Sequence, residues 1–147
     1  MQLGVEKILS PDPKIYFSGC VIVRKLLIGM YYYHYFCCLR KLTWCQFVEA
    51  NPPISLFLQE EEAFKKVVQL FENTDDYGVQ FEAAWLLSNV ASGTDQHVVD
   101  MFRLAPNICS ICCSVLATSC VLVITQVCST TNFTINQLNH LFVLHTI

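Results

Sequence analysis

Four helical patterns follow one another closely between residues 53 and 104. In each, apolar residues recur every three or four positions, which is the spacing of an amphipathic helix. The patterns predict helices at 53–60, 62–72, 79–92 and 95–104. Polar turn residues fill 73–78, and Gly93 is suited to end a helix. This part of the chain is therefore expected to be all-α, and a strand within 79–92 would contradict the assignment.

The length of this helical unit limits the architecture further. Its first three helices occupy about 43 residues, which is the length of one armadillo or HEAT repeat. Such repeats stack into a helical solenoid and bury their apolar faces against their neighbours. The sequence therefore predicts one solenoid repeat.

The third predicted helix carries two different faces. Its aliphatic residues cluster on one side at 100° per residue, as expected of a core face; they are Ala83, Leu86, Leu87 and Val90. Trp85 and Asn89 lie on the opposite side, one turn apart, with Phe81 and Ser92 beside them. An aromatic ring and an amide that share the face away from the core are candidate recognition residues. The alternative is a Trp packed against a neighbouring helix and an Asn that solvates the helix end.

The run Gln80–Thr94, QFEAAWLLSNVASGT, closely resembles a repeat of importin alpha, the armadillo-repeat adaptor of nuclear import. Asn51–Ile54 resembles the start of the same repeat, and Ile8–Pro13 resembles the end of the repeat before it. The resemblance implies an all-α armadillo-type fragment with one complete repeat at 51–94. Residues 95–104 would then be the first helix of the next repeat.

The resemblance also implies a function. Importin alpha binds nuclear localisation signals, which are extended Lys/Arg-rich peptides, in the cytoplasm and carries them to the nucleus. Trp85 would stack on the stem of a Lys or Arg side chain, and Asn89 would hydrogen-bond the peptide backbone. Ser92, Gly93 and Thr94 lie where the family forms a pocket for one lysine. Importin beta is a partner by family only, and no segment here resembles the arm that binds it.

Two stretches do not share this resemblance. Residues 14–50 form an apolar and aromatic segment between parts that are nearly adjacent in the family, and residues 105–147 form a tail. Without 14–50, KILSPDP would join NPPI and read as continuous family sequence. We therefore expect both stretches to be extraneous, from an aberrant splice form or translated non-coding sequence.

Charge separates the same segments. Residues 51–103 carry 3 basic and 9 acidic residues, a net charge of −6 that attracts a basic peptide, whereas 104–147 carry no charge at all. With a whole-chain net charge of −3, no nucleic-acid partner is expected. Arg24 and Lys25 are too isolated to form a basic patch.

A small membrane protein is the alternative. Ile108–Cys128 is an uncharged run of 21 residues, long enough to span a bilayer. Its Ser, Thr and Gln residues weaken that assignment, as does the lack of flanking Lys or Arg.

No enzymatic activity, metal or cofactor is expected. His34, His97, His140 and His145 have no acid or cysteine at catalytic or metal-ligand spacing. Cys109 and Cys112 resemble half of a zinc site, but no second pair with suitable spacing follows.

Overall fold

The computed structural model describes residues 1–28, 52–118 and 123 of the chain, and it shows seven helices and no strand within them. Most of the segment 14–50 and of the tail 105–147 lies outside the described residues. In chain order the helices are α1 (Gln2–Ile8), α2 (Pro13–Leu26), α3 (Ile54–Gln59), α4 (Glu61–Asn73), α5 (Tyr77–Ala91), α6 (Asp95–Leu104) and α7 (Ile108–Thr118).

The four helices predicted from periodicity are present as α3 to α6. The bounds of α6 agree with the prediction, and those of α3 and α4 differ by one residue at each end. Helix α5 begins at Tyr77, two residues before the predicted start, because Asp76 caps it. The Asp76 carboxylate accepts hydrogen bonds from the backbone N–H groups of Gly78 (2.8 Å) and Val79 (3.3 Å).

The core of the described residues lies between α4 and α5. The aliphatic face predicted for α5 is confirmed, since Ala83, Leu86, Leu87 and Val90 are at most 2% exposed. Helix α4 contributes its own apolar face, which includes three fully buried side chains, Phe64, Val67 and Phe71. Phe57 of α3 meets the Phe64 ring edge-on, with 6.1 Å between ring centroids.

Helices α1 and α2 form a hairpin that packs beside this core. They cross closely at Gly19, where an added Cβ would lie 2.6 Å from the backbone nitrogen of Ile8. Any larger side chain at residue 19 would therefore push α1 away from α2. Helix α2 in turn packs along α5, and Cys20, Val23 and the C-cap residue Leu27 are completely buried. The first part of the segment 14–50 thus joins the same core as the predicted repeat.

Helix α7 closes the other end of the described core. It packs on α4 through a face whose residues are at most 5% exposed: Ile108, Ile111, Cys112 and Val115. Within the described ranges, no single helix is long and apolar enough to cross a membrane. Asp95–Leu104 and Ile108–Ala117 meet that test of length and composition only as a pair, bent by 81°.

Candidate functional site

Trp85 and Asn89 lie on the face of α5 that meets α2, and both contact the same residue, Arg24. The Arg24 guanidinium carbon lies 4.0 Å from the centroid of the Trp85 ring, which is a cation–π distance. The Asn89 side-chain amide donates a hydrogen bond to the main-chain carbonyl of Arg24 at 3.1 Å. One arginine residue is thus held by its side chain and by its backbone at once.

Glu82 completes the set of contacts to Arg24. Its carboxylate accepts hydrogen bonds from Arg24 Nε at 2.5 Å and from Nη2 at 3.5 Å. Residues 82, 85 and 89 share one face of α5 because they are three and four positions apart. We refer to Glu82, Trp85 and Asn89 as the α5 stripe. Glu82 was not among the predicted site residues, although its position three residues before Trp85 places it on the same face.

The ion pair between Arg24 and Glu82 is largely buried. The side chains of Arg24 and Glu82 are 10% and 13% exposed, and Asn89 as a whole is 3% exposed. Arg24, which the sequence showed only as part of an isolated basic pair, is therefore buried and paired. Both charged groups have lost most of their contact with water. Removing either one would therefore leave the other charge buried without a partner, which is strongly unfavourable.

The stripe also stabilises the end of α2. The last four carbonyls of an α-helix have no partner inside the helix, and the Arg24 carbonyl is one of them. Asn89 supplies a donor for that carbonyl from another helix. This arrangement is close to the alternative noted for Trp85 and Asn89, in which the pair packs against a neighbouring helix.

Phe81 supports the indole from the side. The Phe81 and Trp85 rings meet edge-on, with centroids 5.5 Å apart. An edge-to-face contact places the positive ring edge of one aromatic against the negative face of the other. The Trp85 ring therefore contacts both Phe81 and the Arg24 guanidinium.

The other predicted site residues lie at the turn between α5 and α6. The Ser92 hydroxyl donates to the Asn89 carbonyl at 2.8 Å, within the last turn of α5. Thr94 caps α6, because its hydroxyl accepts from the His97 backbone N–H at 3.4 Å. Gly93 lies against α3, where an added Cβ would come within 2.9 Å of Ile54. The structure thus brings Trp85 and Asn89 together on Arg24, whereas the hydroxyls of Ser92 and Thr94 bond to the ends of α5 and α6.

His97 forms a second cluster with Ser55 and Thr94. Its Nδ1 accepts a hydrogen bond from the Thr94 backbone N–H at 3.1 Å, and its Nε2 lies 2.7 Å from the Ser55 hydroxyl oxygen. Since Nδ1 is the acceptor, the neutral ring carries its proton on Nε2 and donates it to Ser55. His97 therefore has no free lone pair with which to activate Ser55 as a nucleophile.

The comparisons with known proteins agree with the all-α repeat. Residues 51–92 match the family described as the armadillo/beta-catenin-like repeat. The chain contains an armadillo repeat. A designed armadillo repeat protein, YIII(Dq)4CqI, superposes over 86% of this chain and 43% of its own length, with a TM-score of 0.63 at 16% identity. An engineered protein solved by the Northeast Structural Genomics Consortium (target OR497) superposes over 86% of this chain and 25% of its own, with a TM-score of 0.62 at 16% identity.

The relatives found by sequence match a shorter part of the chain than the solved structures do. Importin subunits alpha-6 and alpha-3 of Arabidopsis thaliana are each 42% identical to this chain over 50 residues. The matched stretch is 34% of this chain and 9% of each importin subunit. The chain therefore contains an importin alpha-like stretch of 50 residues, and it spans about a tenth of the length of these relatives.

Proposed function

We propose that the armadillo repeat binds Lys/Arg-rich peptides of the nuclear-localisation type, with the α5 stripe as the contact surface. The proposal rests on one observation, which is that Trp85 and Asn89 both bind Arg24. An incoming basic peptide offers the same two groups, a cationic side chain and a main-chain carbonyl, that Trp85 and Asn89 hold in the folded chain. The stripe therefore has the chemistry that such a ligand requires.

The surrounding charge favours the same class of ligand. Residues 51–103 carry a net charge of −6, and Glu82 places one of those carboxylates within the stripe itself. An acidic surface raises the local concentration of a cationic peptide and speeds its encounter. The proposal extends to an import adaptor that moves between cytoplasm and nucleus with its cargo, and importin beta is the further partner that the importin-like segment suggests. The proposed function is binding and not catalysis, and it needs no cofactor.

Nuclear magnetic resonance tests the proposal, because it detects weak binding residue by residue. A Lys/Arg-rich peptide is titrated into the ¹⁵N-labelled full chain, and the Trp85 indole N–H and Asn89 side-chain amide signals are followed. We expect both signals to shift, with a dissociation constant weaker than about 1 mM. The matched control peptide has Gln in place of every Lys and Arg and should shift neither.

A second aromatic on the same helix supplies the control variant. Tyr77 is 55% exposed at the start of α5 and belongs to no contact of the stripe. Tyr77→Ala should leave the titration unchanged, whereas Trp85→Ala should abolish the Asn89 shift. The proposal is wrong if neither the natural chain nor a variant without the Arg24 side chain shows these shifts.

A further inference from the structure

Cys109 and Cys112 lie three residues apart in the first turn of α7, away from the α5 stripe. Both are free thiols in the structure. Cys109 is exposed, whereas Cys112 is 5% exposed and belongs to the face of α7 that packs on α4. A structural zinc ion takes a full tetrahedron of ligands, and no group of three or more candidate metal ligands lies together in the described ranges. A disulfide, in contrast, needs only these two sulfurs.

We propose that Cys109 and Cys112 form a reversible disulfide by exchange with a small-molecule disulfide of the glutathione class. Cys109 attacks the incoming disulfide, because its side chain is open to solvent. Cys112 resolves the mixed disulfide, because it lies one turn away and is shielded from a bulky reagent. The pair is a redox site outside residues 51–92, so its role is separate from peptide binding by the armadillo repeat.

Helix geometry favours the pairing of Cys109 with Cys112 over its pairing with Cys113. Residues three apart in an α-helix are separated by about 4.5 Å along the axis, and residues four apart by about 6 Å. A disulfide holds its two Cβ atoms about 3.5–4.5 Å apart, so the turn must tighten to form one. Tightening into a 3₁₀ turn brings the side chains at i and i+3 into line, and these are Cys109 and Cys112.

The start of α7 is suited to that change. The chain enters the helix through a bond of the 3₁₀ type, since the Ile108 N–H donates to the Ala105 carbonyl at 3.1 Å. The Ile111 N–H, which donates to the Asn107 carbonyl at 3.0 Å, exchanges that acceptor for the Ile108 carbonyl when the turn tightens. The N–H of Cys109 has no acceptor within the helix, as is general for a first turn. Cys109 therefore moves without breaking a helical hydrogen bond of its own N–H.

The exchange balances in two steps. The Cys109 thiolate, having lost its proton to solvent, attacks one sulfur of glutathione disulfide, and one glutathione leaves as a thiolate that takes up a proton. The Cys112 sulfur then attacks the Cys109 sulfur of the mixed disulfide, and the Cys112 proton passes to the second glutathione as it leaves. The two protein thiols lose two electrons and two protons, and one glutathione disulfide is reduced to two molecules of glutathione.

Burial fixes the order in which the two thiols react. It raises the pKa of Cys112 to about 12, and the charges of Cys109 and Cys113 add to the shift. The buried thiol is therefore rarely ionised and does not compete for the external disulfide. Once Cys109 is part of a mixed disulfide it carries no charge. One cause of the raised pKa is then removed at the step in which Cys112 must react.

The test incubates the full chain with glutathione disulfide and compares it with two matched variants, Cys112→Ser and Cys113→Ser. Remaining thiols are blocked with N-ethylmaleimide, and the chain is cleaved with chymotrypsin. Cleavage after Leu104 and Leu116 gives one peptide with all three cysteines of α7, whose mass is then measured. In Cys113→Ser this peptide has only two thiols, so a loss of two hydrogens assigns the disulfide to Cys109 and Cys112.

We expect the natural chain and Cys113→Ser to form the disulfide in equal yield, and an excess of reduced glutathione to restore both thiols. Cys112→Ser should instead retain glutathione on this peptide, at least about tenfold more than Cys113→Ser does. Retained glutathione in Cys113→Ser without the loss of two hydrogens overturns the proposal, and this result does not depend on the folding of Cys112→Ser. A disulfide that forms as readily in Cys112→Ser as in Cys113→Ser also overturns it, because Cys113 would then be the resolving thiol.

Discussion

The Arg24 guanidinium carbon lies 4.0 Å from the centroid of the Trp85 ring, so the residue expected to receive a foreign basic side chain holds one from its own chain. Glu82 fixes the same guanidinium from a position one turn before Trp85. The contact joins α2 to the armadillo repeat, and its effect on stability is separable from any effect on peptide binding. The ion pair gives the most direct measure of that effect.

Glu82→Gln is expected to lower the free energy of unfolding by about 1.5–3 kcal/mol, because glutamine keeps an acceptor but no charge and leaves the buried Arg24 guanidinium without its counter-charge. Urea titration followed by circular dichroism measures the change. Glu62→Gln is the matched control, since Glu62 pairs with Lys65 at 3.1 Å on the exposed face of α4. That substitution should have no measurable effect, and equal effects of the two changes would contradict a buried role for Glu82.

Close packing between α1 and α2 makes Gly19 sensitive to a single methyl group. Gly19→Ala should destabilise the chain by about 1–3 kcal/mol, since its Cβ would lie 2.6 Å from the backbone nitrogen of Ile8. Ser18→Ala serves as the control, because it loses one long hydrogen bond from Lys7 at 3.4 Å. It should change stability by less than about 0.5 kcal/mol. A Gly19→Ala chain as stable as the natural one would show that the two helices do not cross there.

His97 gives stability a dependence on pH. Burial lowers the pKa of His97 from its usual 6.5, and the nearby charge of Asp100 opposes that shift. The unfolded chain therefore takes up the proton first as the pH falls. The contribution of His97 is fully present above pH 6.5 and is lost as the pH falls through the folded-state pKa. Protonation also removes the Nδ1 lone pair that accepts from Thr94.

His97→Gln tests this dependence, because glutamine at this position of a helix keeps the capping box and does not titrate. The free energy of unfolding of both chains is measured between about pH 5 and pH 7.5. We expect the difference in the free energy of unfolding between the two chains to be constant at the upper end of this pH range. As the pH falls, the natural chain should lose stability relative to His97→Gln. A constant difference over the whole range would mean that His97 has the same pKa in the folded and unfolded chains.

Periodicity in the sequence predicted α3 to α6 well, because the apolar face of each is regular and their turns contain strong signals. Helix α2 lies almost entirely within the stretch expected to be extraneous, and periodicity did not predict it. The buried residues Cys20 and Val23 and the C-cap Leu27 are spaced as a helix requires, but Ile15 and Phe17 are exposed and obscure the pattern. The candidate stripe was predicted only in part: Trp85 and Asn89 share a face by spacing alone. What covers them depends on how α2 packs against α5, a long-range contact that no local pattern records.

The buried thiols report the packing of α2 and α7. Burial raises the pKa of Cys20 to about 12, and the charge of Glu82 adds to the shift. Burial likewise raises the pKa of Cys112 to about 12, whereas Cys109 and Cys113 are exposed. At pH 8 a thiol with such a pKa is ionised in only about one molecule in 10⁴, and the thiolate is the reactive form.

Brief treatment of the native chain with iodoacetamide should therefore label Cys109 and Cys113, with Cys20 and Cys112 at least about 100-fold slower. Mass spectrometry of the digested chain measures each site. All four should react at similar rates in concentrated urea, which controls for intrinsic reactivity. Rapid labelling of Cys20 in the native chain would show that α2 is not packed on α5.

The affinity of the natural chain for a basic localisation peptide should be very low. One Trp–Asn pair supplies about 1–3 kcal/mol, near one cation–π contact and one or two hydrogen bonds. That free energy corresponds to a dissociation constant weaker than about 1 mM. Proteins with several tandem repeats bind more tightly than this. Once the first pocket holds the peptide, each further pocket binds it within the same complex, at a high effective concentration. Residues 51–92 match a single armadillo repeat, which carries one such pair.

Fluorescence anisotropy of a labelled peptide titrated with the purified chain measures the affinity. Micromolar binding that Trp85→Ala abolishes would show that a single Trp–Asn pair is sufficient for binding. The stripe would then gain free energy from contacts beyond one cation–π contact and one or two hydrogen bonds.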